Sequence, residues 1–153
     1  MNRSVSKVLV VVSLFSLGAL MSVSANAEDT SPIGLWKTID DETGKVKSVV
    51  RITEVDGDLQ GKVEKVFSPP AKDPNPMCDD CEGERKGKPA IGMTIMWGLK
   101  KTGAAEWNGG QILDPANGKI YRCKLTMIED GKKLQMRGYV AVFYRTQIWL
   151  REE

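Results

Sequence analysis

The chain has 153 residues, with 22 lysines and arginines, 20 aspartates and glutamates, and no histidine. The formal net charge of +2 and the interspersed charges argue against a nucleic-acid-binding protein, which normally presents a basic face. The lack of histidine excludes Ser-His-Asp and Cys-His catalysis as well as imidazole metal sites.

The first 27 residues have the three-part layout of a secretory signal peptide. Arg3 and Lys7 precede an apolar run over residues 8–21, and Ala25-Asn26-Ala27 is a small-x-small cleavage site. The run is shorter than the roughly 20 residues that span a membrane, so a transmembrane anchor is the weaker interpretation. We therefore expect residues 1–27 to be removed and residues 28–153 to form one domain without a membrane span. That domain carries 20 basic and 20 acidic residues.

Alternation of apolar and polar residues predicts three strands in the first part of this domain. Gly34-x-Trp36 opens the first, which is where small ligand-binding barrels commonly begin. Asp56-Gly57 is a strong hairpin signal between the second and the third. Phe67 falls on the apolar face of the third strand. The three strands are expected at residues 33–39, 45–55 and 59–67.

A long polar segment, residues 68–89, interrupts the strand pattern. It holds five of the seven prolines together with Cys78 and Cys81. Loops of this length in compact domains are usually functional or disordered. In an oxidising compartment the close cysteines are expected to form a disulfide. A redox-active pair and a soft-metal site that includes Met77 stay open as alternatives, although the two intervening aspartates disfavour the low thiol pKa that redox pairs need.

The strand pattern returns after the long segment. The apolar run 91–100 fits a strand or a short helix, and we favour the strand. Gly109-Gly110 predicts a bulge or tight bend, and Asp114-Pro115-Ala116-Asn117-Gly118 predicts a hairpin turn. The seventh strand is predicted to keep Val142 on its apolar face. Further strands are expected at residues 107–113, 120–128, 134–143 and 145–151.

Eight short strands with glycine-bearing turns are typical of an antiparallel sandwich or barrel. No segment carries a helical period over three turns. A closed barrel of eight strands either fills with side chains or holds one small ligand. Closure also removes the exposed edges of an open sheet.

An ordered series of short motifs runs through the domain. The motifs are Cys78-x-x-Cys81, Gly83, Ile91-Gly92, Trp107-x-Gly109-Gly110, Asp114-Pro115-x-x-Gly118-x-x-Tyr121, Arg137-Gly138-Tyr139, Arg145-Thr146-Gln147 and Trp149. This series resembles the exported bacterial proteins grouped as domain of unknown function 2147, and the resemblance covers about residues 32–151. It implies a lipocalin-like, calycin-type, up-and-down barrel and the periplasm of a Gram-negative bacterium, but no reaction, because the activity of the family is not established. The chain departs from the family at Ala141, where glycine is usual, and at Tyr144-Arg145, which replaces a Gly-Arg pair.

The resemblance also implies how such a barrel closes. In a lipocalin-like barrel the tryptophan of Gly34-x-Trp36 plugs the closed end, and a late cation, Arg151 or Arg145, packs on its ring. We therefore assign Gly34, Trp36 and Arg151 structural roles.

Four residues are candidates for a ligand site, and one cysteine needs a separate account. Cys123 lies on an apolar strand face, where a free thiol behaves as a small hydrophobe. We expect Trp97 and Trp107 to lie in the core more readily than in the wall of a ligand site. They are nevertheless better candidates than Trp36 for the cavity or its mouth. The candidate ligand residues are Trp97, Trp107, Tyr121 and Met136.

Three functions remain open, and none of them relies on acid–base catalysis. The first is an exported binding protein for a small apolar or amphipathic ligand. The second is a filled barrel that contacts an envelope protein through residues 68–89. The third is a redox or soft-metal factor that uses Cys78 and Cys81. The clustered acids Asp40-Asp41-Glu42 and Asp79-Asp80 are interpreted as solvated turns and not as catalytic carboxylate pairs. We expect no cofactor.

Overall fold

The computed structural model describes residues 31–67 and 72–153, in which eight strands form a closed antiparallel barrel in chain order. The predicted all-β fold and its up-and-down topology are thus confirmed. The predicted signal peptide lies outside the described residues. The strands are β1 (Gly34–Ile39), β2 (Val46–Val55), β3 (Asp58–Val66), β4 (Thr94–Gly103), β5 (Glu106–Asp114), β6 (Lys119–Ile128), β7 (Lys133–Val140) and β8 (Phe143–Arg151), and one short 3-10 helix covers Gly83–Arg85.

The turns are of the kind their residues predict. Asp56 and Gly57 both take positive φ, 53° and 84°, which is the geometry that matches the twist of a two-residue hairpin. The register shifts between Trp107 and Gly110, so the predicted bulge at Gly109-Gly110 is present. The run 91–100 contains a strand rather than a helix, although β4 begins only at Thr94.

Two predicted faces are wrong near strand ends. β7 ends at Val140 because Ala141 takes a φ of 51° and reverses the chain, so Val142 lies at the hairpin tip, almost fully exposed. Phe67 follows the end of β3, and its ring is exposed with the Lys65 ammonium 4.7 Å above its centroid. Both errors arise because alternation predicts which side a residue takes only while the strand continues.

The closed end of the barrel is built around Trp36, which is completely buried. Its indole Nε1 donates a hydrogen bond to the Pro32 carbonyl at 2.8 Å. The Arg151 guanidinium carbon lies 4.4 Å from the centre of the Trp36 ring, and Arg151 Nε donates to the Gly131 carbonyl at 2.7 Å. Arg151 and Trp36 are also partners in the short β1–β8 ladder that completes the barrel.

Large apolar side chains fill the barrel above this tryptophan. The fully buried aliphatic side chains nearest the closed end are Ile52, Leu59, Leu99 and Leu134.

Within the residues described, no helix is long and apolar enough to cross a membrane.

Candidate functional site

A cavity of about 400 Å³ occupies the end of the barrel opposite Trp36. The turns 40–45, 115–118 and 141–142 surround it, and so does the segment between β3 and β4. Native interiors contain few voids larger than a water molecule, so a space of this size marks a site rather than imperfect packing. Its wall is predominantly apolar and includes Val63, Ile95, Ile112, Met136 and Trp149.

Polar groups in the cavity are concentrated on the wall formed by β1, β2 and β8. The hydroxyl oxygens of Thr38 and Ser48 lie 2.6 Å apart in a hydrogen bond between paired strands. On β8, Gln147 Oε1 accepts from the Trp149 indole at 3.3 Å, and Gln147 Nε2 donates to Asp41 Oδ2 at 3.2 Å. The cavity therefore combines an apolar body with a small polar region near its mouth.

An ion pair joins two parts of the rim. The Arg145 guanidinium donates to the Asp41 carboxylate, which links the start of β8 to the turn after β1. In the same turn, Asp40 accepts hydrogen bonds from the hydroxyl and N–H of Thr43, which lower the pKa of Asp40. This turn is ordered by its own side chains and by β8 at the cavity mouth.

Residues 74–91, which we call the lid, cover one side of the mouth. A disulfide joins Cys78 to Cys81, and both residues are buried. The lid also has a ladder of its own, in which Cys78 N–H donates to the Lys88 carbonyl and Ala90 N–H donates to the Pro76 carbonyl, each at 2.9 Å. Pro76, Met77 and Ala90 of the lid line the cavity.

The lid lies directly on the β5–β6 turn. A Cβ atom at Gly118 would collide with the carbonyl oxygen of Asp80, so only glycine permits this approach. Gly118 also has a φ of 68°, as the turn prediction required. Gly118 thus permits both the positive φ of the turn and the close contact between the turn and the lid.

The predicted ligand residues divide into two pairs. Tyr121 and Met136 line the cavity, whereas Trp97 and Trp107 do not. Trp97 faces outward because Gly98, with a φ of 71°, interrupts the alternation of β4. Its indole donates to Gln111 at 3.2 Å, and Arg85 of the lid stacks 4.5 Å from its ring centre.

Trp107 is buried in the core near the start of β5, at the closed end. The sequence analysis passed over Trp149, Gln147, Thr38 and Ser48 as cavity residues. Alternation from Trp149 back through Gln147 along β8 was the signal that could have identified two of them.

The remaining cysteine, Cys123, is a buried free thiol on the inner face of β6. Burial raises the pKa of Cys123 to about 12. Since the thiolate is the nucleophile and the metal ligand, this group is inert near neutral pH. Within residues 31–67 and 72–153, no group of three or more cysteine, aspartate or glutamate side chains could hold a metal ion.

Comparison with known proteins gives a family and a fold. A family model described as "Uncharacterized protein conserved in bacteria (DUF2147)" matches residues 34–151. Protein HP1028 from the human pathogen Helicobacter pylori, which belongs to the lipocalin family, has a TM-score of 0.69 with this chain at 17% sequence identity. That match covers 80% of this chain and 84% of the other, and it shows a shared fold. A search of curated proteins found no significant match.

Proposed function

Because the chain belongs to the DUF2147 family of bacterial proteins, whose resemblance to lipocalins the barrel bears out, we propose that it is an exported binding protein for a small amphipathic or apolar molecule. The ligand occupies the cavity at the open end of the barrel. Its apolar body contacts Ile95, Ile112 and Met136, and its polar end lies near Thr38 and Gln147.

The cavity itself is the observation that carries this proposal. Its volume of about 400 Å³ falls in the range of roughly 300–1,000 Å³ that is usual for small-molecule pockets. Such pockets are lined mainly by apolar and aromatic side chains with a few placed polar groups. Tyr121 and Trp149 supply the aromatic surface here, and the Thr38–Ser48 hydroxyl pair supplies the polar one.

Export and a non-enzymatic role are parts of the same proposal. The signal-peptide layout of residues 1–27 supports export, and so does a disulfide, since disulfides persist in oxidising compartments such as the periplasm. Binding rather than catalysis is supported by the state of the one free thiol. Cys123 has its pKa raised to about 12 by burial, so it is no nucleophile at physiological pH.

Titration with the apolar fluorescent probe 1-N-phenylnaphthylamine tests the cavity. Gly138 lines it, and a Cβ there would meet Tyr121 Cβ at 3.6 Å, an ordinary contact, so a larger side chain can enter the cavity. We expect saturable binding to the wild type and an affinity at least about tenfold lower for Gly138→Phe, a difference of about 1.4 kcal/mol. Thr53→Phe, on the exposed outer face of β2, is the matched control.

Two results would contradict a ligand-binding cavity. One is the absence of saturable probe binding, and the other is unchanged binding in Gly138→Phe. Native mass spectrometry of the protein purified from its own periplasm then identifies the natural ligand as a reproducible added mass. If the mass stays that of the unliganded protein across a panel of lipids and metabolites, the result would favour the alternative function, a filled barrel that contacts an envelope protein through the lid.

A further inference from the structure

The hairpin between β7 and β8 ends in a contiguous apolar tip at the cavity mouth. Val140 is 52% exposed, Val142 is 87% exposed and Phe143 is 74% exposed. Single exposed apolar residues are ordinary on protein surfaces, whereas a contiguous patch marks an interaction site. The tip has no packing partner among the core residues of the barrel.

Below the tip, the outer face of the hairpin carries an aromatic pair flanked by two arginines. Tyr139 and Tyr144 are partners across the two strands, with ring centroids 6.1 Å apart. Arg122 pairs with Tyr139 in register and donates to the Ala141 carbonyl at 3.5 Å. The Arg137 guanidinium lies 4.6 Å from the Tyr144 ring centre. Neither arginine forms a salt bridge with a carboxylate of residues 31–67 or 72–153.

This set of side chains suits the surface of a lipid bilayer. Apolar groups enter the acyl region, tyrosines favour the interface with the hydroxyl toward water, and arginines bind anionic headgroups. Strands rise about 3.3 Å per residue, so Arg122, which is level with Tyr139, lies about 7 Å below Ala141, and Arg137 lies about 13 Å below it. Peripheral elements insert their apolar groups roughly 5–10 Å deep, which places Arg137 at headgroup depth and Arg122 at the boundary between acyl chains and headgroups, level with the tyrosines.

We propose that the β7–β8 tip docks the barrel onto an anionic lipid bilayer. The combination of an exposed apolar tip, a tyrosine pair and two arginines without a carboxylate partner among residues 31–67 and 72–153 favours an anionic bilayer over a protein partner. The charges of the neighbouring turn between β1 and β2 and of Arg145 balance one another, so Arg122 and Arg137 give the hairpin its positive charge. The balancing residues are Asp40, Asp41, Glu42, Lys45, Lys47 and Arg145.

The tip is continuous with the cavity. Val140 and Phe143 belong both to the exposed hairpin and to the cavity lining. A docked barrel therefore has its open end against the membrane, so that an amphipathic molecule can pass between bilayer and cavity without crossing water. Docking goes beyond the proposed binding function and does not depend on the identity of the ligand.

Vesicle co-sedimentation tests the docking directly. The full mature chain is mixed with vesicles of phosphatidylcholine alone or of equimolar phosphatidylcholine and phosphatidylglycerol. We expect the wild type to pellet with the mixed vesicles and Val142→Ser/Phe143→Ser to partition at least about tenfold less, because two apolar side chains lose their burial. The control Ile33→Ser/Val55→Ser removes residues that are 46% and 43% exposed at the closed end, and it should bind like the wild type.

A second variant tests the electrostatic part. Arg122→Gln/Arg137→Gln should lose most of the preference for phosphatidylglycerol, about tenfold, since each basic residue near an anionic surface contributes several-fold. Near-UV circular dichroism of each variant reports whether the barrel is intact, and probe binding by the arginine variant reports whether its cavity is intact; the tip variant is judged by circular dichroism, because Phe143 lines the cavity itself. Failure of the wild type to pellet with mixed vesicles, or wild-type partitioning by the tip variant, would overturn the proposal while leaving ligand binding in the cavity unaffected. An undiminished lipid preference in the arginine variant would overturn the choice of anionic lipid.

Discussion

Replacing Arg151 by alanine is the sharpest test of how the barrel closes. Arg151 stacks on the ring of Trp36, which is completely buried, and it donates to three backbone carbonyls near the barrel end. Two of those hydrogen bonds, to Gly131 and Ser31, are 2.7 Å long. One side chain thus joins the chain before β1, the β6–β7 turn and the core tryptophan.

The expected loss can be estimated from these contacts. A desolvated cation–π contact contributes about 2 kcal/mol, and each short hydrogen bond contributes about 1 kcal/mol net. Because contacts that share a residue are not additive, we expect Arg151→Ala to lower the free energy of unfolding by about 3 kcal/mol. In a domain of this size the melting temperature should fall by about 10 °C. Urea unfolding followed by tryptophan fluorescence measures the change.

Two comparison variants make the result interpretable. Arg151→Lys keeps the charge over Trp36 but loses the planar fork of donors, so its loss should be intermediate. Arg51→Ala breaks an exposed pair, in which Arg51 Nε lies 2.6 Å from Glu64, and exposed pairs contribute only about 0–1 kcal/mol. If Arg151→Ala cost no more than Arg51→Ala, the closing role derived from the geometry would be refuted.

Three further predictions concern the hairpin tip, the thiol and the lid. Ala141→Gly should raise the free energy of unfolding in urea by about 0.5–1 kcal/mol, because a Cβ at a φ of 51° costs about 1–2 kcal/mol, and the greater unfolded-state entropy of glycine offsets part of the relief. Between pH 9 and pH 12 the wild type should lose about 1.4 kcal/mol of stability per pH unit relative to Cys123→Ala, measured by urea titration at each pH. The unfolded thiol ionises near its ordinary pKa of 9 whereas the buried one ionises only at about 12, so this contribution is complete below pH 9 and is lost as pH rises. Removing the disulfide by Cys78→Ser/Cys81→Ser should cost about 2 kcal/mol by the loop-entropy estimate and should speed tryptic cleavage within the lid.

Each of these has an outcome that contradicts it. A destabilised Ala141→Gly would mean that the turn does not hold residue 141 in the left-handed region. Parallel pH curves for the wild type and Cys123→Ala would mean that the thiol is accessible. Equal protease resistance with and without the disulfide would mean that the backbone ladder of the lid and its contact with Gly118 are sufficient to hold the lid in place.

The sequence was most informative where structure is local. Alternation predicted most of the strands, since a strand half-buried on a core must repeat with a period of two, and the continuous apolar run 91–100 fitted a strand or a short helix, of which the strand was favoured. Asp56-Gly57 and Gly109-Gly110 predicted a hairpin and a bulge because few other residues accept positive φ. The seventh strand was drawn three residues too long because Ala141 carries no turn signal of its own.

The candidate site was harder to predict because it depends on contacts between distant segments. Trp97 was placed at the cavity from its residue type, but the interruption at Gly98 directs it outward against Arg85. The contact of Asp80 with Gly118 joins segments that no local pattern relates. Tyr121 and Met136 were placed in the cavity lining by strand register alone.

Whether an eight-stranded barrel is filled or hollow depends on the sizes of its inward side chains at each level. Toward the closed end those positions hold Trp36, Leu59 and Leu134, all of them buried. Toward the mouth the inward positions leave a cavity of about 400 Å³, and two of them hold small residues, Thr38 on β1 and Gly138 on β7. Larger apolar side chains at these two positions would bury more surface and raise the free energy of unfolding. A barrel with only a structural role would gain from such a substitution. The space left open at the mouth above a filled closed end therefore favours a barrel that holds a ligand over one that is filled.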